Sequence, residues 1–462
     1  MAMFEDIPVD VGVIYEGERI RWANTYTELG GPNEEHKFEL VRVQALDKVE
    51  DGKVTIIGPD IKDLEKRSYP FGILIEVAGR EVEEDLEGVF ERHIHEYSNF
   101  VEGLMHINQR YDIHLRLSEK SFKRGFNSFQ FLGKIFQRLY KSELPIIEKM
   151  QTTFITDSKT VEEMWHEAMK IYEARDAKAR GLKDDDVEEF YGCNLCQSFA
   201  PTHSCIITPQ RYANCGAISW FDGRAAAKVD PKGPIFKIDK GLCLDPWKGE
   251  YTGANKSLQE NTMGEITRVW LFTAFGHPHT SCGCFEAVAF YIPEVDGLGI
   301  VDRGFKEATV NGLPFSTMAD STAGGRQVDG FHGISIEYMR SPKFLQADGG
   351  WSRIVWLPDN IKERVKDFVP SDVIDKIATE KDVQNVDELK EFLEERRHPV
   401  VERWIEADVL AEVPPTVEAV KAAAASPALA SPSLPITVGG LKITLINAKI
   451  HAEKVIIRRE GR

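Results

Sequence analysis

Six of the seven cysteines fall into two tight groups. The first is Cys193, Cys196, Cys205 and Cys215, spaced Cys-x2-Cys-x8-Cys-x9-Cys. Four thiolates are the ligand count of an iron–sulfur cubane. A Cys-x2-Cys pair puts two sulfurs on one centre from a tight loop, and zinc sites and redox dithiols use it as well. Taken alone, this group leaves zinc and iron–sulfur equally open. The second group is Cys282-Gly283-Cys284, set in His279-Thr280-Ser281-Cys282-Gly283-Cys284-Phe285-Glu286. Two thiolates and two deprotonated backbone amides make a square-planar set of two nitrogens and two sulfurs, which suits nickel(II) or copper(II). Gly283 has no Cβ, so the backbone can wrap closely around a metal. Zinc, which favours tetrahedral surroundings, gains nothing from such a plane. Alone, the tripeptide reads as two neighbouring core thiols; beside the four-cysteine group it reads as part of a mixed-metal site.

The elements that must carry these groups are legible in outline. Residues 1–160 hold no cysteine. Their β-rich stretches around Val54 and Phe71 alternate with helical patterns over Glu81–Asn108 and about Phe129–Leu139, which indicates an α/β domain. Asp157 is a helix N-cap for a charged helix from Val161 to about Arg180. Residues 161–408 are expected to form a mixed α+β cluster domain, turning helical and charged from Asp372 to about Ala407. The Ala/Pro/Ser run over 409–435 reads as a flexible linker. Beyond it, residues 436–462 form a basic, β-like tail, either docking on a partner's sheet edge or folding back on its own domain. No internal repeat is visible.

Bulk properties narrow the function classes. The chain has 462 residues, 42% of them hydrophobic, and a net charge of −17. That balance argues against nucleic acid as a partner. No apolar run approaches the roughly 18 residues that span a bilayer. The start, Met1-Ala2-Met3-Phe4-Glu5-Asp6, lacks the regions of a signal peptide, so a cytoplasmic protein is expected. There, clustered cysteines favour metal or redox roles over disulfides. Cys243 stands apart and is expected to be an ordinary buried thiol.

The runs from Tyr191 to Cys205, from Asn214 through Cys215 to Ala225, and from His279 to Glu286 resemble the acetyl-CoA synthases. The closest resemblance is to the beta subunits of archaeal-type acetyl-CoA decarbonylase/synthase complexes, with support from Phe315–Ala319 and Ala347–Pro358. It covers roughly residues 15–400. It implies a [4Fe-4S] cubane held by Cys193, Cys196, Cys205 and Cys215. Cys196, Cys282 and Cys284 would bridge to a proximal nickel ion. Cys282, Gly283 and Cys284 would hold a distal one through two sulfurs and the amides of Gly283 and Cys284. Phe199 would crowd the CO-binding alcove. The implied reaction is reversible assembly of acetyl-CoA from CO, a corrinoid-bound methyl group and coenzyme A. The implied partners are carbon monoxide dehydrogenase subunits and a corrinoid iron–sulfur methyl carrier. Longer bacterial synthases carry an additional N-terminal domain that this chain, like the shorter archaeal type, has no room for.

Coenzyme A phosphates need cations. Arg110, Arg116, Lys120, Lys123, Arg124, Lys134, Arg138 and Lys141 form a basic run in an acidic chain, with Arg116 and Arg124 the chosen contacts and a solvated helix face the plainer reading. The Gly-rich stretch Ser321–Arg326 lacks the ending of a phosphate-binding P-loop and reads as a loop near the cluster, with Arg326 a second candidate for an anion. Three rival functions remain: an electron-transfer or metal-storage protein, a zinc-stabilised scaffold, and a thiol–disulfide enzyme using Cys193 and Cys196. The first two give the Cys-Gly-Cys group no role, and the third leaves four clustered cysteines unexplained.

Overall fold

Strand Phe71–Ala78 is a near-continuous apolar run because both of its faces are covered. Phe71, Ile73, Ile75 and Val77 are fully buried. In the computed structural model, which describes residues 3–12, 20–404, 435–438 and 441–444, this strand centres a four-stranded sheet. It runs parallel to Lys37–Val43 and antiparallel to Lys149–Ile155, which in turn pairs in parallel with Val54–Ile57. A second sheet orders Ser68–Tyr69, Thr25–Gly30, His114–Ser118 and Leu104–His106. Helices Glu87–Asn99, Phe129–Glu143 and Ser158–Arg180 pack on this framework. Asp157 caps the last of them by accepting from the Thr160 amide at 3.0 Å. That satisfies one of the amides a helix start leaves open.

Two helical expectations are corrected. The pattern over Glu81–Asn108 forms a helix only over Glu87–Asn99, followed by a turn and the strand Leu104–His106. The Asn99 side chain ends it. Its Oδ1 accepts from the His106 amide at 2.9 Å and its Nδ2 donates to the His106 carbonyl at 2.8 Å. That side chain replaces a backbone rung and folds the chain back. The charged stretch after Asp372 is helical over Val386–Glu395 and again over 400–404, preceded by a short turn at Ile374–Lys376. Thr379 and Asp382 close a tight turn between them, the Asp382 carboxylate accepting from both the amide and the hydroxyl of Thr379.

The cysteine-bearing half contains an antiparallel sheet of Cys205–Ile207, Glu189–Cys193 and Ile235–Asp239. A mixed sheet orders Phe331–Ile334, Ala287–Ile292, Gly297–Asp302 and Ile354–Trp356. The expected boundary at 160/161 falls inside helix Ser158–Arg180, and Met1–Trp404 forms one compact unit. The two halves share apolar packing: Val89 joins the core around Phe190 and Ile206, and Ala225 joins the core around Phe90 and Tyr140. Among the described residues no helix is long and apolar enough to cross a membrane.

Cys243 is exposed, not buried. It lies on a two-stranded ribbon, Cys243–Asp245 with Glu250–Tyr251, and its neighbours Leu242 and Leu244 are exposed too. A two-stranded ribbon leaves a face uncovered unless another element packs on it. In the second unit, Ile405–Arg462, strands Pro435–Val438 and Leu441–Thr444 pair antiparallel as a hairpin. The rest of the expected linker 409–435 and tail 436–462 lies outside the described residues.

Candidate metal centre

The first cysteine group is assembled by strand pairing and two turns. Antiparallel register sets Cys193, at the end of its strand, directly opposite Cys205, at the start of the next. Cys196 follows in a turn closed by Gln197 N to Asn194 O and Ala200 N to Cys196 O. Cys215 sits in the turn ahead of helix Trp220–Val229, which Ser219 caps. All four cysteines of this group are buried. Burial, and then the nearby Cys205, pushes the Cys193 thiol well above its usual range. Burial with Cys215 beside it pushes Cys205 up to about 12, and burial pushes Cys215 up to about 11. Thiols that resist ionisation alone would give up their protons to a metal that neutralises them.

The second group meets the first at Cys196. The sulfurs of Cys196, Cys282 and Cys284 lie within 4.8 Å of one another. Hydrogen bonds from the Cys282 and Cys284 thiols hold Cys196 well below its usual pKa, and the same contacts push those two thiols up. Of the three, Cys196 is the one whose ionisation the other two thiols favour. Gly283, at φ +126°, turns the tripeptide so that the Cys284 amide nitrogen lies 3.2 Å from Cys282 Sγ. Sulfur and nitrogen thus converge on one side of the turn. An added Cβ would find space, with only Ala323 Cβ near at 3.4 Å, so the constraint at Gly283 is its dihedral. Gly283→Ala is expected to destabilise the metal-free chain by about 1–3 kcal/mol, measured by anaerobic denaturant unfolding.

A third contribution comes from helix Glu87–Asn99. Arg92, His95 and Asn99 lie at i, i+3 and i+7, one stripe of the helix. Arg92 is fully buried, and its Nη2 donates to Cys196 Sγ at 3.3 Å. His95 Nε2 lies 3.6 Å from Cys284 Sγ, and its Nδ1 is 3.0 Å from His106 Nδ1. His106 Nε2 reaches Glu39 Oε2 at 2.7 Å. On the other side of the centre, His203 Nε2 lies 3.1 Å from Cys205 Sγ, its Nδ1 contacting Thr280 Oγ1 at 2.9 Å. Burial drops the His203 pKa to about 4, so this imidazole is neutral. A cavity of about 410 Å³ opens on the three-sulfur group, lined by His95, Phe199, Cys282, Gly283, Cys284 and Arg303 among others.

Residues 172–404 match the family model for the C-terminal part of the ACS/CODH beta subunit. Residues 7–161 match that of the CO dehydrogenase/acetyl-CoA synthase complex beta subunit. The chain belongs to this beta-subunit family. A relative from Methanothermobacter thermautotrophicus, named acetyl-CoA decarbonylase/synthase complex subunit beta, is 53% identical over 99% of this chain and 100% of its own. A protein of the same name from Methanopyrus kandleri is 51% identical over 100% of this chain and 99% of its own. The subunit beta 2 from Methanocaldococcus jannaschii is 52% identical over 99% and 98%.

The donors present fit the metal groups that the beta-subunit resemblance implies. Arg92 is the test. Among the described residues no carboxylate forms an ion pair with it, and its Nη1 has no acceptor. Burial opposes its charge, yet its pKa is held well above the ordinary value, with Cys196 the leading group that favours the charge. A buried cation whose side-chain hydrogen bond goes to a sulfur fits a thiolate-rich, net anionic cluster.

Other candidate residues fall elsewhere. Phe199 packs beside Cys196 and Cys282 on the cavity wall. Arg116 donates to Glu28 Oε2 at 2.6 Å and to the Ile20 carbonyl at 3.1 Å, and Arg124 donates to Glu102. Arg110 is buried against Asp176 and the Gly216 carbonyl, so it positions the Cys215 turn. Lys123, Lys134, Arg138 and Lys141 each meet a carboxylate. Arg326 donates to the carbonyls of Asp320, Ser321 and Ala323, capping the end of helix Phe315–Thr322. Arg92, His95 and Arg303 belong to none of the sequence motifs, and His203 lies within the Tyr191–Cys205 run without having been singled out. The Arg92–His95–Asn99 stripe is the one signal that could have found part of this set: polar residues at helical spacing in a helix whose polar residues are nearly all buried.

Proposed function

We propose that this chain makes and cleaves acetyl-CoA at a [4Fe-4S] cubane joined to two nickel ions. The observation that carries the reading is Cys196, one sulfur shared between a buried four-thiol set and the Cys-Gly-Cys turn. Cys193, Cys196, Cys205 and Cys215 would hold the cubane. Cys196, Cys282 and Cys284 would hold the proximal nickel, and Cys282, Gly283 and Cys284 the distal one. When bound, the nickel pair supplies a soft, electron-rich metal with an open position where a methyl group and CO are joined and passed to coenzyme A. The chain's own residues do the rest. Phe199 would crowd the space beside Cys196, Cys282 and Cys284 where CO is taken up. Arg92 offsets the negative charge of the sulfurs. His95 and Asn99 wall the side of the cavity next to Cys284.

The enzyme is then an acyltransferase, working in the cytoplasm with carbon monoxide dehydrogenase subunits and a corrinoid iron–sulfur methyl carrier. The family description as a CO dehydrogenase/acetyl-CoA synthase complex subunit supports the first partner. In this reading residues 1–160 and 161–408 divide the labour: the first supplies Arg92, His95 and the coenzyme A contacts, the second the sulfur ligands. Anaerobic metal analysis tests it. About four irons and two nickels per chain are expected, with acetyl-CoA formed from CO, a methyl donor and coenzyme A. Iron that never takes up nickel would leave an electron-transfer protein, and zinc alone a scaffold.

Two further expectations belong to this reading. The basic run borders a cleft of about 470 Å³ whose lining includes Ser118, Lys120, Ser121 and Lys123. With Arg116 and Arg124 at its side, this cleft would take the nucleotide end of coenzyme A. Reversing both charges, to Glu, is expected to raise the KM for coenzyme A about tenfold, the scale of one lost charge-assisted contact; an unchanged KM would end the assignment. The hairpin-bearing tail is assigned to docking on the dehydrogenase. Deleting 412–462 should weaken co-purification while leaving iron and nickel content intact.

A further inference from the structure

The Cys-Gly-Cys turn has two peptide units whose nitrogens would become metal ligands. One joins Cys282 to Gly283, and its oxygen is the Cys282 carbonyl. The other joins Gly283 to Cys284, and its oxygen is the Gly283 carbonyl. When a backbone amide loses its proton to bind a metal, part of the resulting charge moves onto the carbonyl oxygen of the same peptide. Both oxygens are met by donors. Gly324 N–H donates to the Cys282 carbonyl at 3.2 Å. Arg303 Nη2 donates to the Gly283 carbonyl at 2.9 Å.

We propose that Arg303 and the Gly324 amide form a built cradle for the two amidate oxygens, with Arg303 the positioning residue that lets the Cys284 amide act as an anionic metal ligand. This rests on the nickel reading above. Each donor is placed by the fold. Arg303 follows strand Gly297–Asp302, whose register sets Asp302 opposite Ala287, three residues past Cys284. The guanidinium is braced over the Phe315 ring at 5.0 Å from its centroid. It also borders each of the three cavities that reach the turn. Gly324 and Gly325 take positive φ in succession, +89° and +78°, and present both of their amides to the 281–282 backbone, Gly325 donating to the Ser281 carbonyl at 2.9 Å. A Cβ on Gly325 would come within 2.7 Å of the His203 amide nitrogen, so the loop can approach this closely only with glycine there. Donors preset where charge collects act as an oxyanion hole does, here for a ligand and not a transition state.

The balance is simple. Nickel(II) forms bonds to two sulfurs and two nitrogens. Two thiol protons and two amide protons leave to buffer, and no electron moves. Zinc(II) bound through the thiolates alone leaves the amide protons in place and makes no use of the cradle.

The test uses the full chain, loaded with iron and sulfide but free of nickel, titrated anaerobically with nickel(II) or with zinc(II). Nickel K-edge absorption at one equivalent reads whether two nitrogens and two sulfurs lie in a plane. In the unaltered chain the planar signature is expected. Arg303→Met and the milder Arg303→Gln are expected to weaken nickel about 10- to 100-fold, as loss of a group supporting a ligand does, with zinc affinity unchanged. Arg303→Lys, which keeps the charge, is expected to retain most of the nickel affinity. Equal losses for nickel and zinc would make Arg303 a mere prop for the turn and overturn the proposal. Unchanged nickel binding in both neutral variants would overturn it as well, while leaving the nickel reading intact. A nickel spectrum in the unaltered chain that still shows sulfur alone at two equivalents, when the three-sulfur position would also be filled, would instead bring down the nickel reading itself, and this proposal with it.

Discussion

Cys196→Ala is expected to strip the protein of iron and nickel together, whereas Cys284→Ala is expected to strip nickel and leave about four irons per chain. Cys196 is the one thiol that belongs to both sulfur sets. It is close enough to Cys282 and Cys284 to share a metal, and it sits in the turn that follows strand-end Cys193. Under the proposed function, removing it would take the fourth ligand from the cubane and the link between the two halves. Cys284 lies in the separate turn before strand Ala287–Ile292, so its loss leaves the four-thiol set whole. Both variants are expected to lose acetyl-CoA synthesis by about 10³-fold or more, since a Lewis-acidic metal contributes several kcal/mol to a barrier. Iron, sulfide and nickel determinations on the two purified variants check this directly. Full iron in Cys196→Ala would refute the shared-sulfur arrangement.

Arg92→Met is expected to act very unequally on the loaded and the metal-free chain. In the loaded protein the guanidinium faces ligated thiolates, and removing one partner of a buried charge pair costs about 3–5 kcal/mol. In the metal-free protein Cys193, Cys205 and Cys215 are held protonated by burial, so little charge is left for Arg92 to balance beyond the Cys196 thiolate. Methionine there would relieve a buried cation with an orphaned Nη1. Anaerobic unfolding should therefore show a large drop in midpoint for the loaded chain and a small change for the metal-free one. The cluster should also become harder to reduce, because the nearby cation that favours added negative charge is gone. Equal drops in both forms would mean that Arg92 only fills space.

Helix capping at Asp157 and the helix from Phe129 were legible because those signals are local: a side-chain acceptor one turn from its amides, and apolar residues at helical spacing. The end of the first helix was not. Asn99 stops it by bonding to His106, seven residues on, and apolar spacing alone continued through Leu104. Cys243 misled for a related reason. Leu242-Cys243-Leu244 has the composition of a core segment, yet it lies on a ribbon with an uncovered face. Composition reports what a residue prefers, not whether another element arrives to cover it.

By itself the sequence determined the donor chemistry: six cysteines, their two spacings, and a glycine between two of them. Those are short-range properties, since a Cys-x2-Cys turn and a Cys-Gly-Cys turn close within a few residues wherever the chain goes. Only the tertiary structure decided that Cys196 meets Cys282 and Cys284, that Arg92 reaches Cys196 from 104 residues away, and that Arg303 takes the Gly283 carbonyl. Each of those contacts depends on strand register or on where a helix packs. Register is set by burial of whole faces, and no single segment carries that information.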